Sequence, residues 1–127
     1  MGRILIAEDE KSVSSFLVSI LEDLGHEVYV SPNGEHALET LDNNEGFQLL
    51  ISDMMMPKID GHQLTRRVLE DYPAIPIIVI SGYVKLSEID ELLQEGVQAF
   101  IPKPINFEEL TKYVSSAMKH QAMPEIH

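Results

Sequence analysis

The chain has no cysteine among its 127 residues, which excludes a disulfide framework and any thiolate metal site. It has no apolar run near the roughly 20 residues that a membrane-crossing helix needs. The N-terminus runs straight into a strand pattern, with no signal-peptide layout. Together these absences lead to the expectation of a cytoplasmic, reducing location and no membrane insertion. Basic residues are scarce: 9 Lys and Arg stand against 21 Asp and Glu, for a formal net charge of −12, with no basic cluster beyond Arg66-Arg67. Such a chain is repelled by nucleic acid and by anionic membranes, so direct nucleic-acid binding is not expected.

Apolar residues make up 44% and charged residues 24% of the chain, the balance of a soluble globular protein with one core. Strand-like and helix-like patterns alternate along it. Residues 3–8 read as a strand, followed by Val13, Phe16, Leu17, Ile20, Leu21 and Leu24 at the spacing of one helical face, with Gly25 as the stop. Val28-Tyr29-Val30 forms a short second strand. Pro32-Asn33-Gly34 turns into a helix carrying Ala37, Leu38 and Leu41, which ends at Asn43-Asn44 or Gly46. A third strand spans 47–52. Asp60 with Gln63 resembles a capping box and opens a helix bearing Leu64, Val68 and Leu69. Pro73 and Pro76 bound the turn before a fourth strand over 77–80. Ser87 with Asp90 signals a cap ahead of Ile89, Leu92 and Leu93, and Gly96 ends that helix. Residues 99–101 form a fifth strand. Asn106 with Glu109 caps a last helix that turns Phe107, Leu110, Val114 and Ala117 inward. No pattern follows His120, so one domain is expected over 1–121 and a disordered tail over 122–127.

The first, third and fourth strands are near-continuous apolar runs, the mark of a parallel sheet covered by helices on both faces. A Rossmann-like half and a flavodoxin-like sheet ordered 2-1-3-4-5 both suit the alternation. Only the second uses all five strands in one small α/β domain. Ligands in such sheets bind at the carboxyl ends of the strands, near the switch point. Glu8 and Asp9, Asp53, Ser81 and Lys103 each directly follow one of these runs, so this topology lines them up along one edge.

That edge holds carboxylates, a hydroxyl and an ammonium. A nucleotide or flavin site would carry a Gly- or Ser/Thr-rich first loop to cradle phosphate. Glu8-Asp9-Glu10-Lys11 stands there instead and repels bare phosphate. A cation is needed first. Clustered carboxylates suit Mg²⁺, and no His falls at a strand end to suit zinc. Asp53, on the central strand, is the nucleophile such a site would use to form an acyl phosphate. Mg²⁺ and Lys103 would neutralise the transferring group, and Ser81 would donate a hydrogen bond to it. The Lys103-Pro104 bond can be cis and would then fix the turn that aims the lysine. Taken singly, each residue has an ordinary reading: Asp53 as a turn or cap, Ser81-Gly82 as a turn, Lys103 as a surface charge, Glu8-Asp9 as a complement to a helix dipole. Their shared position at matching strand ends favours the chemistry. The His residues are scattered and read as surface or helix positions. Met54-Met55-Met56, Tyr83 and Phe100 read as packing.

These residues make the chain similar to the receiver domains of response regulators in two-component signalling. The resemblance rests on Glu8-Asp9, on the segment Asp53-Met54-Met55-Met56-Pro57-Lys58-Ile59-Asp60-Gly61, on Ser81-Gly82 and on Lys103-Pro104, and it runs from about residue 3 to 120. It implies that Asp53 accepts phosphate from a phosphohistidine on a histidine kinase or a histidine phosphotransfer domain. It implies Mg²⁺ (or Mn²⁺) held by Asp9, Asp53 and the backbone carbonyl of Met55, with Glu8 acting through water. Ser81 would turn toward the phosphoryl group, Lys103 would pair with it, and Phe100 would be the switch aromatic. Phe100 has no hydroxyl, so any such switch works by packing alone. Met55 and Tyr83 occupy the positions that tune dephosphorylation. Both are bulky and neither is acidic, which predicts a long-lived phosphoaspartate.

The reader face implied by the family covers about residues 84–95, 98–102 and 106–120. It mixes Lys85, Lys112 and Lys119 with several Glu, and names no output partner. The sequence stops soon after the last helix and shows no DNA-binding or catalytic output domain. Whether it is a stand-alone receiver or part of a longer regulator or hybrid kinase is left open. A turnover enzyme is not expected. The rivals are a phosphate-independent receiver-like interaction module and an aspartyl-phosphate phosphatase of the haloacid-dehalogenase kind. The latter wants Asp-x-Asp after its first strand, whereas Asp53 follows the third strand and Met55 stands two residues on.

Overall fold

Each apolar run becomes a strand and each periodic stretch a helix. The computed structural model describes residues 2–56, 58, 60–82 and 85–122, with the side chains of the last three left aside. The elements are β1 (Arg3–Ala7), α1 (Lys11–Asp23), β2 (Glu27–Ser31), α2 (Gly34–Asn43), β3 (Phe47–Asp53), α3 (Gly61–Asp71), β4 (Ile77–Ser81), α4 (Leu86–Glu95), β5 (Ala99–Pro102) and α5 (Phe107–Ala122). All neighbouring strands pair in parallel, in the order β2-β1-β3-β4-β5. This is the flavodoxin-like order that the apolar runs favour. Pro57 and Ile59, which carry part of the resemblance, and Tyr83, given a position that tunes dephosphorylation, lie outside the described residues, as does the chain after Ala122.

The sheet has a core on each face. On one, Ile4, Ile6, Leu49, Ile51, Ile78 and Ile80 meet Leu17 and Leu21 of α1 and Leu110 and Val114 of α5. On the other, Leu5, Leu50, Ile77 and Val79 meet α2 through Ala37 and Leu41, α3 through Leu64 and Val68, and α4 through Leu92. Strands buried on both sides have no need of polar alternation, which is why β1, β3 and β4 read as unbroken apolar runs. Strand β2 forms one edge and leaves Tyr29 and Val30 exposed.

Side-chain caps fix the starts of α2, α3 and α5. Asp60 Oδ1 accepts from the Gln63 N–H at 2.9 Å while Gln63 Oε1 accepts from the Asp60 N–H at 3.3 Å, the reciprocal capping box expected there. Asn106 Oδ1 accepts from the Glu109 N–H at 2.9 Å. The cap expected at Ser87 and Asp90 is displaced. Helix α4 already begins at Leu86, and it is Glu88 Oε1 that reaches back to the Lys85 N–H at 3.2 Å. Some residues assigned to inward faces are exposed instead: Phe16, Leu24, Leu93 and Phe107. They sit at the margins of an apolar stripe wider than the arc each helix lays on the sheet. Met55 is also exposed, whereas Met54 is buried and Met56 packs against the core.

Candidate functional site

The site grows out of the ends of the strand ladder. The last paired rungs are Ala7 with Ser52, Asp53 with Ile80, and Ser81 with Pro102. Backbone hydrogen bonds then carry the ladder one step further: Glu8 N–H to the Ser31 carbonyl at 2.9 Å, Met54 N–H to Ile80 at 3.1 Å, and Lys103 N–H to Ser81 at 2.9 Å. Glu8, Asp53, Ser81 and Lys103 are thereby held at one edge by main chain rather than by flexible loop. The Lys103-Pro104 peptide is cis.

Asp53 lies at the centre and is almost wholly buried. Its Oδ1 accepts from the Met55 N–H at 3.1 Å, and its Oδ2 accepts from Lys103 Nζ at 3.0 Å. The same ammonium is 3.0 Å from Glu10 Oε1 and 3.2 Å from Glu8 Oε1. Burial pulls the Lys103 ammonium toward deprotonation. Its hydrogen bonds to Asp53 and Glu10, with the charges of Asp53 and Glu8, outweigh that and hold its pKa well above the ordinary lysine value. Glu8 shows the opposite balance for a carboxyl. Burial raises it, the Glu10 N–H donated to Oε2 at 2.9 Å partly offsets this, and the neighbouring Asp53 raises it again, to about 7. Its Oε1 is buried and accepts no hydrogen bond.

Carboxylate oxygens of Glu8, Glu10 and Asp53 all lie within 4.8 Å of one another. Asp9, expected as a metal ligand, is exposed and is not one of the three. The chain leaves β1 after Ala7 and bends at Asp9, and Glu10 reaches back to Lys103 beside Glu8, a placement that strand-end reasoning, which stops at Glu8 and Asp9, passed over. The donor set is all oxygen, and one of its atoms is buried without a hydrogen bond to accept, which suits a hard divalent cation.

Ser81 is buried at the end of β4. Phe100, on β5, is half-buried and packs against the core on the side of α2, α3 and α4. The glycine of the Asp60-Gly61 pair is required by space. A Cβ at Gly61 would fall 2.1 Å from the Asp53 carbonyl oxygen and 2.5 Å from Met54 Cα. The close approach lets the Gly61 N–H donate to the Met54 carbonyl at 3.2 Å and presses the start of α3 against the end of β3. One His does meet carboxylates: His62 on α3 has its Nε2 4.0 Å from Glu95 Oε1, in a cluster with Glu91. This grouping was not foreseen, because it depends on how α3 packs beside α4. Among the described residues no helix is long and apolar enough to cross a membrane.

Comparison with known proteins agrees with this geometry. Residues 4–115 match the response regulator receiver domain family. The response regulator receiver protein CpdR of Brucella abortus (strain 2308) is 33% identical over 118 residues, which cover 93% of this chain and 98% of that protein. The transcriptional regulatory protein CpxR of Escherichia coli (strain K12) is 32% identical over 127 residues, covering 98% of this chain, which spans only 53% of CpxR's length. Among solved structures, a CheY-like response regulator receiver domain protein from Methanospirillum hungatei JF-1 superposes with a TM-score of 0.91 at 27% identity, covering 98% of this chain and 99% of its own. A match that runs through every strand, on a sheet that gathers these side chains at one edge, places the chain in the response regulator receiver domain family of two-component signalling.

Proposed function

We propose that the chain is a phosphoacceptor switch in which Asp53 takes a phosphoryl group from a phosphohistidine on a histidine kinase or histidine phosphotransfer domain. The observation that carries this reading is the setting of Asp53: a buried carboxylate fixed by the Met55 N–H and Lys103, beside Glu8 and Glu10. An Asp53 oxygen attacks phosphorus, the phosphorus–nitrogen bond breaks, and the departing imidazole nitrogen keeps the electron pair and takes up a proton. An acyl phosphate remains on Asp53. Lys103, already charged and aimed at Asp53 Oδ2, balances charge on the transferring group. Bound at Glu8, Asp9, Asp53 and the Met55 carbonyl, Mg²⁺ (or Mn²⁺) would supply further charge neutralisation there. Ser81 would donate its hydroxyl to the new phosphoryl group, and Phe100 would repack on β5, altering the α4–β5–α5 face that an output partner reads. An open groove lined by Ser12, Val13, Phe16, Pro104 and Ile105 runs beside Lys103 and gives the donor protein an apolar seat next to the reacting atoms. One phosphoryl group is accepted per molecule, which is switching rather than turnover.

The test is intact mass after incubation with Mg²⁺ and a small acyl-phosphate donor, beside Asp53→Asn and a metal-free control. The expected result is a gain of one phosphoryl group that vanishes in both controls. After donor removal the modification should persist for minutes or longer, because Met55 offers no acidic group to orient water. Loss within seconds overturns the lifetime. No gain with any donor, including a phosphorylated phosphotransfer domain, overturns the switch in favour of a phosphate-independent interaction module.

A further inference from the structure

Glu10 has no role in the chemistry derived so far, yet its side chain is committed to the site. It occupies the N-cap position of α1, where a side chain ordinarily accepts from the helix N–H groups, but it makes no such bond. Its Oε1 instead lies 3.0 Å from Lys103 Nζ. The side chain is more than half exposed, whereas those of Glu8 and Asp53 are enclosed. Glu10 is thus an arm that reaches the buried site from the solvent side. A second, separate observation marks the centre of the cluster: Glu8 Oε1 is buried, accepts no hydrogen bond and lies 3.2 Å from the Lys103 ammonium.

We infer that Glu10 is a further acidic arm of the divalent-cation site, beside Glu8, Asp9 and Asp53, which raises cation affinity and draws the Lys103 ammonium aside. The inference rests on the proposed metal-dependent switch. The spacing carries it. Oxygens on opposite sides of a Mg²⁺ with bonds of about 2.1 Å stand about 4.2 Å apart, and the three carboxylates already bring oxygens within 4.8 Å of one another. A shift of about half an ångström, or one water kept by the cation, closes the difference. Lys103 makes the effect of Glu10 twofold. Its ammonium is shared between Asp53 Oδ2 and Glu10 Oε1, each at 3.0 Å. Without Glu10, the ammonium settles wholly on Asp53 and Glu8, where a cation must displace it. Removing the Glu10 charge therefore weakens cation binding both directly and through Lys103.

The experiment follows backbone amide shifts of Met55 and Lys103 by NMR during titration with Mg²⁺ at constant ionic strength, for the wild-type chain and for Glu10→Gln and Asp53→Asn. Glu10 is exposed and its N–H contact to Glu8 is main-chain, so Glu10→Gln keeps the fold, and its unshifted spectrum away from the site checks this. The expected result is saturable binding by the wild-type chain and an apparent Kd raised about fivefold in Glu10→Gln, in line with one screened charge a few ångströms from a divalent ion. An unchanged or lower Kd in Glu10→Gln, with wild-type binding intact and weakened by Asp53→Asn, overturns the role of Glu10 while the switch stands. Absence of saturable binding in the wild-type chain overturns both.

Discussion

Two clusters in this molecule are built from the same kinds of group and differ in depth. At the strand ends, Lys103 meets Asp53, Glu8 and Glu10 at 3.0, 3.2 and 3.0 Å, with side-chain exposures of 17% for the lysine, 3% for Asp53 and 0% for Glu8. Between α3 and α4, Arg66 meets Glu95 at 3.1 Å and Glu91 at 4.0 Å, with His62 beside them, and Arg66 and Glu91 are both more than half exposed. Each cluster also holds three ligand-type atoms within 4.8 Å. Composition and spacing alone do not separate them. Burial does. Charges withdrawn from water interact strongly and leave no cheap alternative, so the strand-end cluster raises the pKa of Glu8 and of Lys103. Exposed charges are screened by water and salt. The depth difference follows from placement: β1, β3 and β4 end inside the molecule, whereas helix faces α3 and α4 meet at its surface.

The sharpest test of that contrast is to remove the cation that holds the buried cluster together. Lys103→Met keeps the apolar stem and deletes the ammonium, leaving Asp53 and Glu8 buried without their counter-charge. In chelator, denaturant unfolding should show a loss of about 2–3 kcal/mol, near the lower range for breaking a buried ion pair because Glu8 can take up a proton. Saturating Mg²⁺ should restore part of it. A loss below about 0.5 kcal/mol would mean that the cluster is as well solvated as a surface one.

A smaller effect comes from pH. Glu8 has an ordinary value of 4.5 and is pushed up to about 7 in the fold. Between those values the folded chain holds a proton that the unfolded chain has released. Stability from this group is therefore full below about 4.5 and falls as pH rises toward 7. His26 opposes it: burial, with help from the N-terminal charge, lowers its pKa, so its contribution rises with pH. The comparison that isolates Glu8 is wild type against Glu8→Gln in chelator. The urea midpoint of the wild-type chain should fall from pH 5 to pH 7 relative to the variant, and Mg²⁺, which favours the ionised carboxylates, should flatten the difference. Parallel pH curves would mean that Glu8 is not isolated from water.

The same contrast sets what a sequence can show. Asp53, Ser81 and Lys103 were legible because each follows an apolar run, and parallel strands must deliver such residues to one edge. Strand order followed from choosing, of the two topologies that suit the alternation, the one that uses all five strands in a single small domain. Glu10 was missed because strand-end reasoning stops at the first polar residues, and Glu10 reaches the site only past the bend at Asp9. The role of Gly61 as a place where backbone meets backbone, where an added Cβ would fall 2.1 Å from the Asp53 carbonyl oxygen, needs the packing of α3 on β3. Exposure of Phe16 and Phe107 was likewise beyond periodicity, which gives the direction of a face but not the width of what covers it. His62 meets Glu95 only because two helices distant in sequence lie side by side.

That helix pair supplies the smallest effect and the other half of the comparison. Arg66 donates to Glu95 and stands 4.0 Å from Glu91, so the network looks, atom for atom, as rich as the one around Lys103. Its members nevertheless keep access to water, and holding a long arginine in one rotamer offsets much of the Coulomb gain. Arg66→Ala should therefore cost no more than about 0.5 kcal/mol in denaturant unfolding, and the cost should shrink further at high salt. Lys103→Met should keep most of its effect under the same monovalent salt, because buried charges such as Asp53 and Glu8 are screened far less than exposed ones. If Arg66→Ala instead costs more than about 1 kcal/mol and resists salt, the α3–α4 cluster is a structural clasp in its own right, and depth is not what separates the two sites.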